Sequence, residues 1–144
     1  MGAHLFFALV AAASDLATGC PEYDMLGYEI HHKRKKDSPS GTALSIAKII
    51  TARSARKKKL VTERLDRAIG EDELHFASVR GGEVPGIHTV LIDSAFDTIE
   101  LTHSARSRGG FALGAVRAAE WLLGKKGIFE VSDFVQGILG RGQG

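Results

Sequence analysis

The segment Glu29–Ala43, which reads EIHHKRKKDSPSGTA, constrains the fold more strongly than any other part of the chain. It predicts a strand that ends at His31 and His32, a basic turn, and a helix that begins near Ser40, a favourable N-cap residue. Adjacent residues on a strand point to opposite faces, so one histidine can meet a ligand while the other supports the wall of the site. Free N–H groups at a helix start attract anions, and the cations at 33–36 flank groups that titrate near neutral pH. The segment therefore predicts a small-anion site beside a proton donor.

Each part of this segment also has an ordinary structural explanation. A run of cations is usually a solvated surface, and a pair of histidines is more often structural than catalytic. The Pro-Ser-Gly-Thr turn directly after the cations makes the combination more specific than its parts. We therefore favour the anion site, as a hypothesis that the geometry must support.

The composition of the 144 residues is that of one ordinary globular domain, with 44% hydrophobic and 25% charged residues. A net charge of +2 does not indicate a nucleic-acid partner. The lone Cys20 excludes an internal disulfide and a cysteine-based zinc site, which fits a reducing compartment. We therefore expect a cytoplasmic protein.

The segment 1–20 superficially resembles a secretory signal, but an amphipathic helix explains it better. It lacks a positive amino-terminal region, and Asp15 falls where a cleavage region should stay uncharged. Its apolar residues recur at helical spacing as far as Gly19, which Pro21 follows closely. The apolar run is too short to span a membrane, so we expect no membrane partner, with a signal peptide as the alternative.

Periodicity along the chain predicts an α+β fold with a four-stranded mixed sheet and helices packed on one face. Short connections favour antiparallel neighbours, with Asp93–Asp97 as a hairpin turn. The basic segment 52–67 is predicted to be a solvated helix end or loop. The predicted helices span about 1–19, 42–56, 111–123 and 128–139, and the predicted strands span about 23–32, 74–80, 87–93 and 98–103.

Three histidines on predicted strands invite a zinc hypothesis, namely His75, His88 and His103. Their spacing is not a recognised ligand pattern, and the sequence fixes no acidic residue beside them. Structural histidines with ordinary hydrogen-bond partners are the better explanation. We therefore assign no metal.

The segment Glu29–Ala43 resembles the signature of the dihydrodipicolinate reductase family. Two later segments, HFASVRGGEVPGIHTV at 75–90 and IELTHSARSRGGFALGAVRAAEWLLGKKG at 99–127, resemble later blocks of that family in the same order. The resemblance implies the carboxy-terminal substrate and oligomerisation domain of an oxidoreductase of lysine biosynthesis, in the diaminopimelate pathway. It also implies hydride transfer from NADPH or NADH to a cyclic dicarboxylate imine, followed by protonation, in a homotetramer.

Residue roles follow from the same resemblance. His31 would be the proton donor, and Lys35 would assist as a second donor or a cation. Arg108 matches a family arginine at the hinge between domains and is the candidate cofactor contact. Four residues would hold the substrate, namely His32, Ser40, Gly41 and Thr42. These roles agree with the physical interpretation, because a dicarboxylate needs amides and cations and a nearby histidine can supply a proton.

The dinucleotide-binding domain of the family has no counterpart in this sequence, since no G-x-G-x-x-G follows a predicted strand. We therefore expect a single substrate and oligomerisation domain over 1–144 that binds neither NADPH nor NADH well and is inactive alone. In the family the helices at 111–139 pack on the nucleotide domain, and the tail 140–144 is expected to be flexible. The alternative is a non-catalytic tetramerisation or dicarboxylate-binding module. A nucleic-acid-binding domain is the weakest hypothesis, because no aromatic residue is interleaved with the cations.

Overall fold

The computed structural model of the chain describes residues 1–107 and 109–140 and has an α+β architecture, as predicted. The predicted cofactor contact Arg108 and the tail residues 141–144 lie outside the described residues. The helices are α1 (Gly2–Thr18), α2 (Gly41–Arg53), α3 (Gly109–Leu122) and α4 (Val131–Gly140). The strands are β1 (Asp24–His31), β2 (Lys59–Val61), β3 (Glu73–Arg80), β4 (Ile87–Asp93) and β5 (Thr98–Ser104).

The sheet is mixed, as predicted, but it has five strands rather than four, in the order β2-β3-β1-β4-β5. β1 runs parallel to β3 and antiparallel to β4, and β4 and β5 form the predicted antiparallel hairpin. The expectation that short connections join neighbours is wrong for β3 and β4, because β1 lies between them. This central position places the end of β1 between the end of β3 and the start of β4.

The missed strand β2 lies in the basic segment that was predicted to be solvated. β2 pairs in parallel with the edge of β3, where Lys59 is in register with Glu73. Just before it, Lys57 is buried, and its Nζ lies 2.7 Å from Oδ1 of Asp24 and donates to the carbonyl of Glu73 at 2.8 Å. The stem of this lysine packs inside while its charge is paired, so the prediction of a solvated segment is wrong here.

The hydrophobic core lies between one sheet face and the helices α1 and α2, which also contact each other. α2 begins as predicted, because Oγ of Ser40 accepts a hydrogen bond from the amide of Ala43 at 3.2 Å. The largest buried apolar residues are Phe6, Val10, Met25, Ile46, Ile50, Leu74, Phe76, Val90 and Ile92. This core anchors the beginning of α2 against the end of β1.

The carboxy-terminal helices pack less closely. α3 has no buried residue, whereas α4 contacts α1 and buries Phe134 and Val135. Trp121 makes edge contacts with the rings of Phe129 and Phe134. Among the described residues, no helix combines the length and apolar character needed to cross a membrane.

Candidate active site

The predicted site residues gather where β1 and β3 end, beside the first turn of α2. His31 is the last residue of β1 and is in register with Arg80, the last residue of β3. Backbone hydrogen bonds hold the loops that follow these strands together: the amide of His32 donates to Val84 at 2.8 Å, and that of Lys33 donates to Gly82 at 3.2 Å. The segments 32–40 and 81–86 therefore form one layer over the strand ends.

Glu29 is the central buried charge of this region and has no exposed surface. Its Oε1 accepts hydrogen bonds from the amide of Ser40 at 2.9 Å, Oγ of Ser78 at 2.9 Å and Nη2 of Arg80 at 2.7 Å. Burial opposes ionisation of the carboxyl, but these hydrogen bonds outweigh it and lower the pKa of Glu29 to about 2. The carboxylate is therefore ionised, and it connects β1, β3 and the start of α2.

Two histidines face the other oxygen of the same carboxylate. Oε2 of Glu29 lies 3.4 Å from Nδ1 of His31 and 3.4 Å from Nε2 of His88, which is in register with Glu29 on the neighbouring strand. The two rings meet edge to face with centroids 5.0 Å apart, and Nε2 of His88 also lies 3.1 Å from Oγ of Ser40. The predicted proton donor His31, a second imidazole and the helix cap thus share one buried cluster.

Both imidazoles bind protons less readily than a free histidine. Burial, followed by repulsion from His31, lowers the pKa of His88 to about 4. Burial is also the largest cause that lowers the pKa of His31, and it outweighs the attraction of the Glu29 carboxylate, while Lys35 and Arg80 lower the value further. Both rings are therefore neutral near pH 7 in the free chain.

The basic run is largely paired with nearby carboxylates. Nζ of Lys35 lies 2.8 and 2.9 Å from the two carboxylate oxygens of Asp37, and its hydrogen bond is the largest cause that lowers the pKa of that carboxyl. The guanidinium of Arg34 forms a bidentate pair with Glu83. A bound dicarboxylate would therefore compete with Asp37 for Lys35.

The predicted substrate contacts lie along the loop and the first helical turn. The amide of Ser40 is already bound to Glu29, whereas the amides of Gly41 and Thr42 donate to no other residue that the structure describes. Nδ1 of His32 is buried without a hydrogen-bond partner within the described parts of the chain. The two amides are polar groups at the site that are open to a ligand, whereas Nδ1 of His32 is an unpaired buried atom.

Sequence reasoning missed the residues that support the site. Glu29 precedes His31 by two positions and so shares its strand face, a signal that the sequence carries. Arg80 and His88 join them only through the pairing of distant strands. The sequence singled out His88 only as a candidate zinc ligand. Both residues lie in the segment 75–90 that resembles a family block, but no local pattern places them beside Glu29.

One atom from each of Glu29, His31 and His88 lies within 4.8 Å of the others, a spacing that a metal ion could use. The guanidinium of Arg80 sits on the same carboxylate, and only one acidic residue is present in the group. A bound cation would therefore meet a carboxylate whose charge is already compensated. The assignment of no metal stays a prediction.

The sequence of the chain is similar to known reductases. The sequence model of the family described as "Dihydrodipicolinate reductase, C-terminus" matches residues 2–135. A 4-hydroxy-tetrahydrodipicolinate reductase of Christiangramia forsetii is 43% identical over 133 residues, which are 92% of this chain and 54% of that protein. The enzyme of the same name from Methanoregula boonei is 40% identical over 136 residues, which are 92% of this chain and 51% of that protein.

A solved structure has a similar fold. It is the dipicolinate-bound dihydrodipicolinate reductase from Paenisporosarcina sp. TG-14, with a TM-score of 0.60, 27% identity, and coverage of 80% of this chain and 43% of that one. This chain thus spans about half the length of the curated relatives that it matches. By its sequence and its fold, the chain belongs to the dihydrodipicolinate reductase family, whose carboxy-terminal domain it matches.

Proposed function

We propose that this chain binds a cyclic dicarboxylate imine and supplies the proton donor for its NAD(P)H-dependent reduction in lysine biosynthesis, in the diaminopimelate pathway. The observation that carries the proposal is the pair of unengaged amides at the start of α2, beside Lys35 and a histidine pair held by one buried carboxylate. Amides and cations match carboxylate groups, and a histidine can protonate a reduced nitrogen or carbon. The related reductase from Paenisporosarcina binds dipicolinate, a planar dicarboxylate.

We assign the roles according to which groups are free. The amides of Gly41 and Thr42 hold one carboxylate, while Ser40 shapes the turn because its own amide is bound to Glu29. His32 contributes the buried Nδ1 that lacks a partner among the described residues. Lys35 exchanges Asp37 for a substrate carboxylate, which brings its ammonium close to the reacting atoms.

His31 acts as the proton donor once the dicarboxylate is bound. Its imidazole is neutral in the free chain, but a bound dianion favours the charged form of a neighbouring histidine. Substrate binding therefore loads the proton that the reaction later consumes. We expect proton uptake on binding near pH 7, measurable as a dependence of the calorimetric enthalpy on the ionisation enthalpy of the buffer.

NADPH or NADH supplies the hydride in the intact enzyme, and a separate nucleotide-binding domain holds it. Among the described residues, the turn after β1 carries a basic segment instead of a glycine-rich turn, so we propose that this domain alone binds the dinucleotide poorly. The apolar face of α3 is an appropriate surface for the nucleotide domain, since Phe111, Leu113 and Val116 are each more than half exposed. Arg108 remains the proposed cofactor contact.

The functional form is proposed to be a cytoplasmic homotetramer. The sheet face opposite α1 and α2 supports this proposal, because it carries the half-buried apolar residues Leu26, Ile30 and Leu91 in place of a purely polar surface. The same surface would also serve the alternative function, a non-catalytic tetramerisation or dicarboxylate-binding module.

Calorimetry with pyridine-2,6-dicarboxylate tests the substrate site. We expect affinity in the micromolar range in the unaltered chain, loss of binding in His32→Ala, and weaker binding in Thr42→Ala, which removes the hydroxyl beside the proposed carboxylate position but keeps the backbone amide. Thr51→Ala is a matched control near the other end of the same helix, where its hydroxyl donates to the carbonyl of Ala47, and it should bind normally. Absence of binding in a folded chain would overturn the proposal for this domain.

Adding a separately produced nucleotide-binding domain of a relative distinguishes the two functions. Recovery of substrate-dependent NADPH oxidation would support the reductase, and its loss in His31→Gln would assign the proton donor. Dicarboxylate binding without any recovered oxidation would favour the non-catalytic module.

A further inference from the structure

We propose that Glu29 is the positioning residue of this site: its carboxylate holds the imidazole of His31 with the ring proton on Nδ1, so that Nε2 exchanges the reacting proton. The inference rests on the proposed function, because it assigns how the proposed donor is oriented. It concerns a residue that does not itself contact the substrate.

The carboxylate is fixed before any ligand arrives. Three groups from two segments donate to its Oε1: the amide of Ser40 at the start of α2, and the side chains of Ser78 and Arg80 at the end of β3. Since Glu29 has no exposed surface, no solvent competes for it. Its second oxygen, Oε2, is thereby held in one direction.

That direction is toward the imidazoles. Within the described residues, neither Oε2 of Glu29 nor Nδ1 of His31 has a hydrogen-bond partner, and the two atoms lie 3.4 Å apart. Oε2 is also 3.4 Å from Nε2 of His88, but that nitrogen lies closer to Oγ of Ser40, at 3.1 Å. An ionised carboxylate only accepts hydrogen bonds, so its favourable partner is a ring nitrogen that carries a proton. Hydrogen bonds of this kind are often long in a free enzyme and shorten in the complex.

The opposite nitrogen of the ring faces the loop 81–86 at a glycine. Nε2 of His31 faces Gly86, where an added Cβ would lie 3.0 Å away. A proton held on Nδ1 leaves Nε2 free to accept a proton and, in the charged form, to donate it. The glycine keeps that nitrogen free of a side chain.

The charged groups around His31 give the carboxylate a second effect. Lys35, Arg80 and His32 each lower the pKa of the imidazole, and Glu29 is the neighbour that raises it. Removal of the negative charge should therefore lower that pKa further. The same carboxylate thus sets both the tautomer and the ease of protonation.

Nitrogen-15 NMR of the full chain, labelled at histidine and free of ligand, tests the proposal. The His31 signals are assigned by their loss in His31→Gln. We expect the neutral ring to carry its proton on Nδ1 in the unaltered chain. In Glu29→Gln, the amide donates to Nδ1, so the proton should move to Nε2, and the pKa of His31 should fall because the carboxylate that raises it is gone.

Glu83→Gln is the matched control, since it removes a nearby carboxylate that pairs with Arg34 and not with His31. It should leave the tautomer unchanged. If Glu29→Gln fails to fold, Glu29→Asp replaces it. The aspartate keeps the negative charge but holds it farther from His31, because its side chain is one methylene shorter, so the His31 signals should again shift. A neutral ring protonated on Nε2 in the unaltered chain overturns the proposal without any variant.

Titration with Zn²⁺ separates this role from a metal site. Saturable, stoichiometric shifts of both His31 and His88 at micromolar zinc would overturn the proposal in favour of a metal centre. Unchanged signals support the positioning role. Because no dicarboxylate is present, these results do not depend on the calorimetric test of the substrate site.

Discussion

Nη2 of Arg80 lies 2.7 Å from Oε1 of Glu29 and also donates to the carbonyl of Asp37 at 2.8 Å. The arginine thus compensates a fully buried carboxylate on β1 and, through the same nitrogen, holds the loop that leads into α2. A buried charge of this kind is tolerable only while its partners remain. The integrity of the candidate site therefore depends on a residue outside the signature segment.

Replacing this arginine should destabilise the fold strongly. Arg80→Met leaves the Glu29 carboxylate buried without its counter-charge, so we expect the free energy of unfolding to fall by roughly 3–5 kcal/mol in urea titrations. Arg34→Met is the control, because its partner Glu83 is 62% exposed, and its loss should cost less than about 1 kcal/mol. Adding Glu29→Gln to Arg80→Met should recover stability, and no recovery would argue against the charge explanation.

Acid should weaken the fold through His88. Burial lowers the pKa of His88 from 6.5 to about 4, so the unfolded chain takes up this proton more readily. The stabilising effect of the neutral ring is therefore complete above pH 6.5 and is lost as the pH falls toward 4, by roughly 3 kcal/mol. Urea titrations between pH 4 and 7 should show this slope.

His88→Gln removes that titration and should reduce the slope in the same pH range, where the lowered pKa of His31 still contributes. His75→Gln is its control, because His75 lies on the face of β3 opposite the one that carries the buried residues Leu74 and Phe76. The control should keep the slope of the unaltered chain. A slope unchanged in His88→Gln would assign the pH dependence to another group.

The contacts of the buried Lys57 should contribute more to stability than the exposed ion pair of Lys59. Lys57→Met keeps most of the aliphatic volume but leaves the Glu73 carbonyl without its donor and Asp24 without its cation. We expect a loss of about 1–3 kcal/mol in thermal or urea unfolding. Lys59→Met removes a pair that is largely exposed and should cost below about 1 kcal/mol. Equal losses of stability in the two variants would mean that burial of Lys57 adds nothing to the free energy of unfolding.

Sequence reasoning succeeded where structure depends on neighbouring residues. The strand that ends at His31, the N-cap at Ser40 and the helix after it follow from local patterns, and all three are present. It failed where distant segments decide: the basic composition of β2 hides its pairing with β3, and Lys57 is buried only because Asp24 accepts its charge.

The same distinction applies to the candidate site. The signature contains the proposed donor and the helix turn, but the partners of Glu29 come from β3 and β4. Ser78 and His88 are in register with it only because β1 is inserted between those strands. No local pattern predicts that insertion. The support of the site was therefore visible only in the fold.

Close packing at the centre of the sheet should make Gly27 sensitive to any added atom. A Cβ there would overlap the ring of Phe76 at Cε2 and would lie 3.1 Å from the carbonyl oxygen of Thr89. Gly27→Ala should therefore cost about 1–3 kcal/mol in urea unfolding, because the buried ring must shift. Gly81→Ala, where no atom lies within 4 Å of the new Cβ, should be close to neutral. Similar losses in both would indicate a backbone effect instead of a steric one.

The glycine in front of His31 should affect ligand binding as well as stability. Gly86→Ala places a Cβ 3.0 Å from Nε2 of His31 at a φ of 155°, so the backbone is strained by about 1–3 kcal/mol and the ring is displaced. Gly82→Ala provides a control for strain alone, because its φ is 53° and no atom lies within 4 Å of the new Cβ.

Both variants should unfold at lower urea concentration. Only Gly86→Ala should also weaken the binding of pyridine-2,6-dicarboxylate. We expect a loss of affinity of about tenfold or more, because displacing the ring should cost more than about 1.4 kcal/mol of binding free energy. Equal affinities in the two variants would mean that Nε2 of His31 does not face the bound ligand.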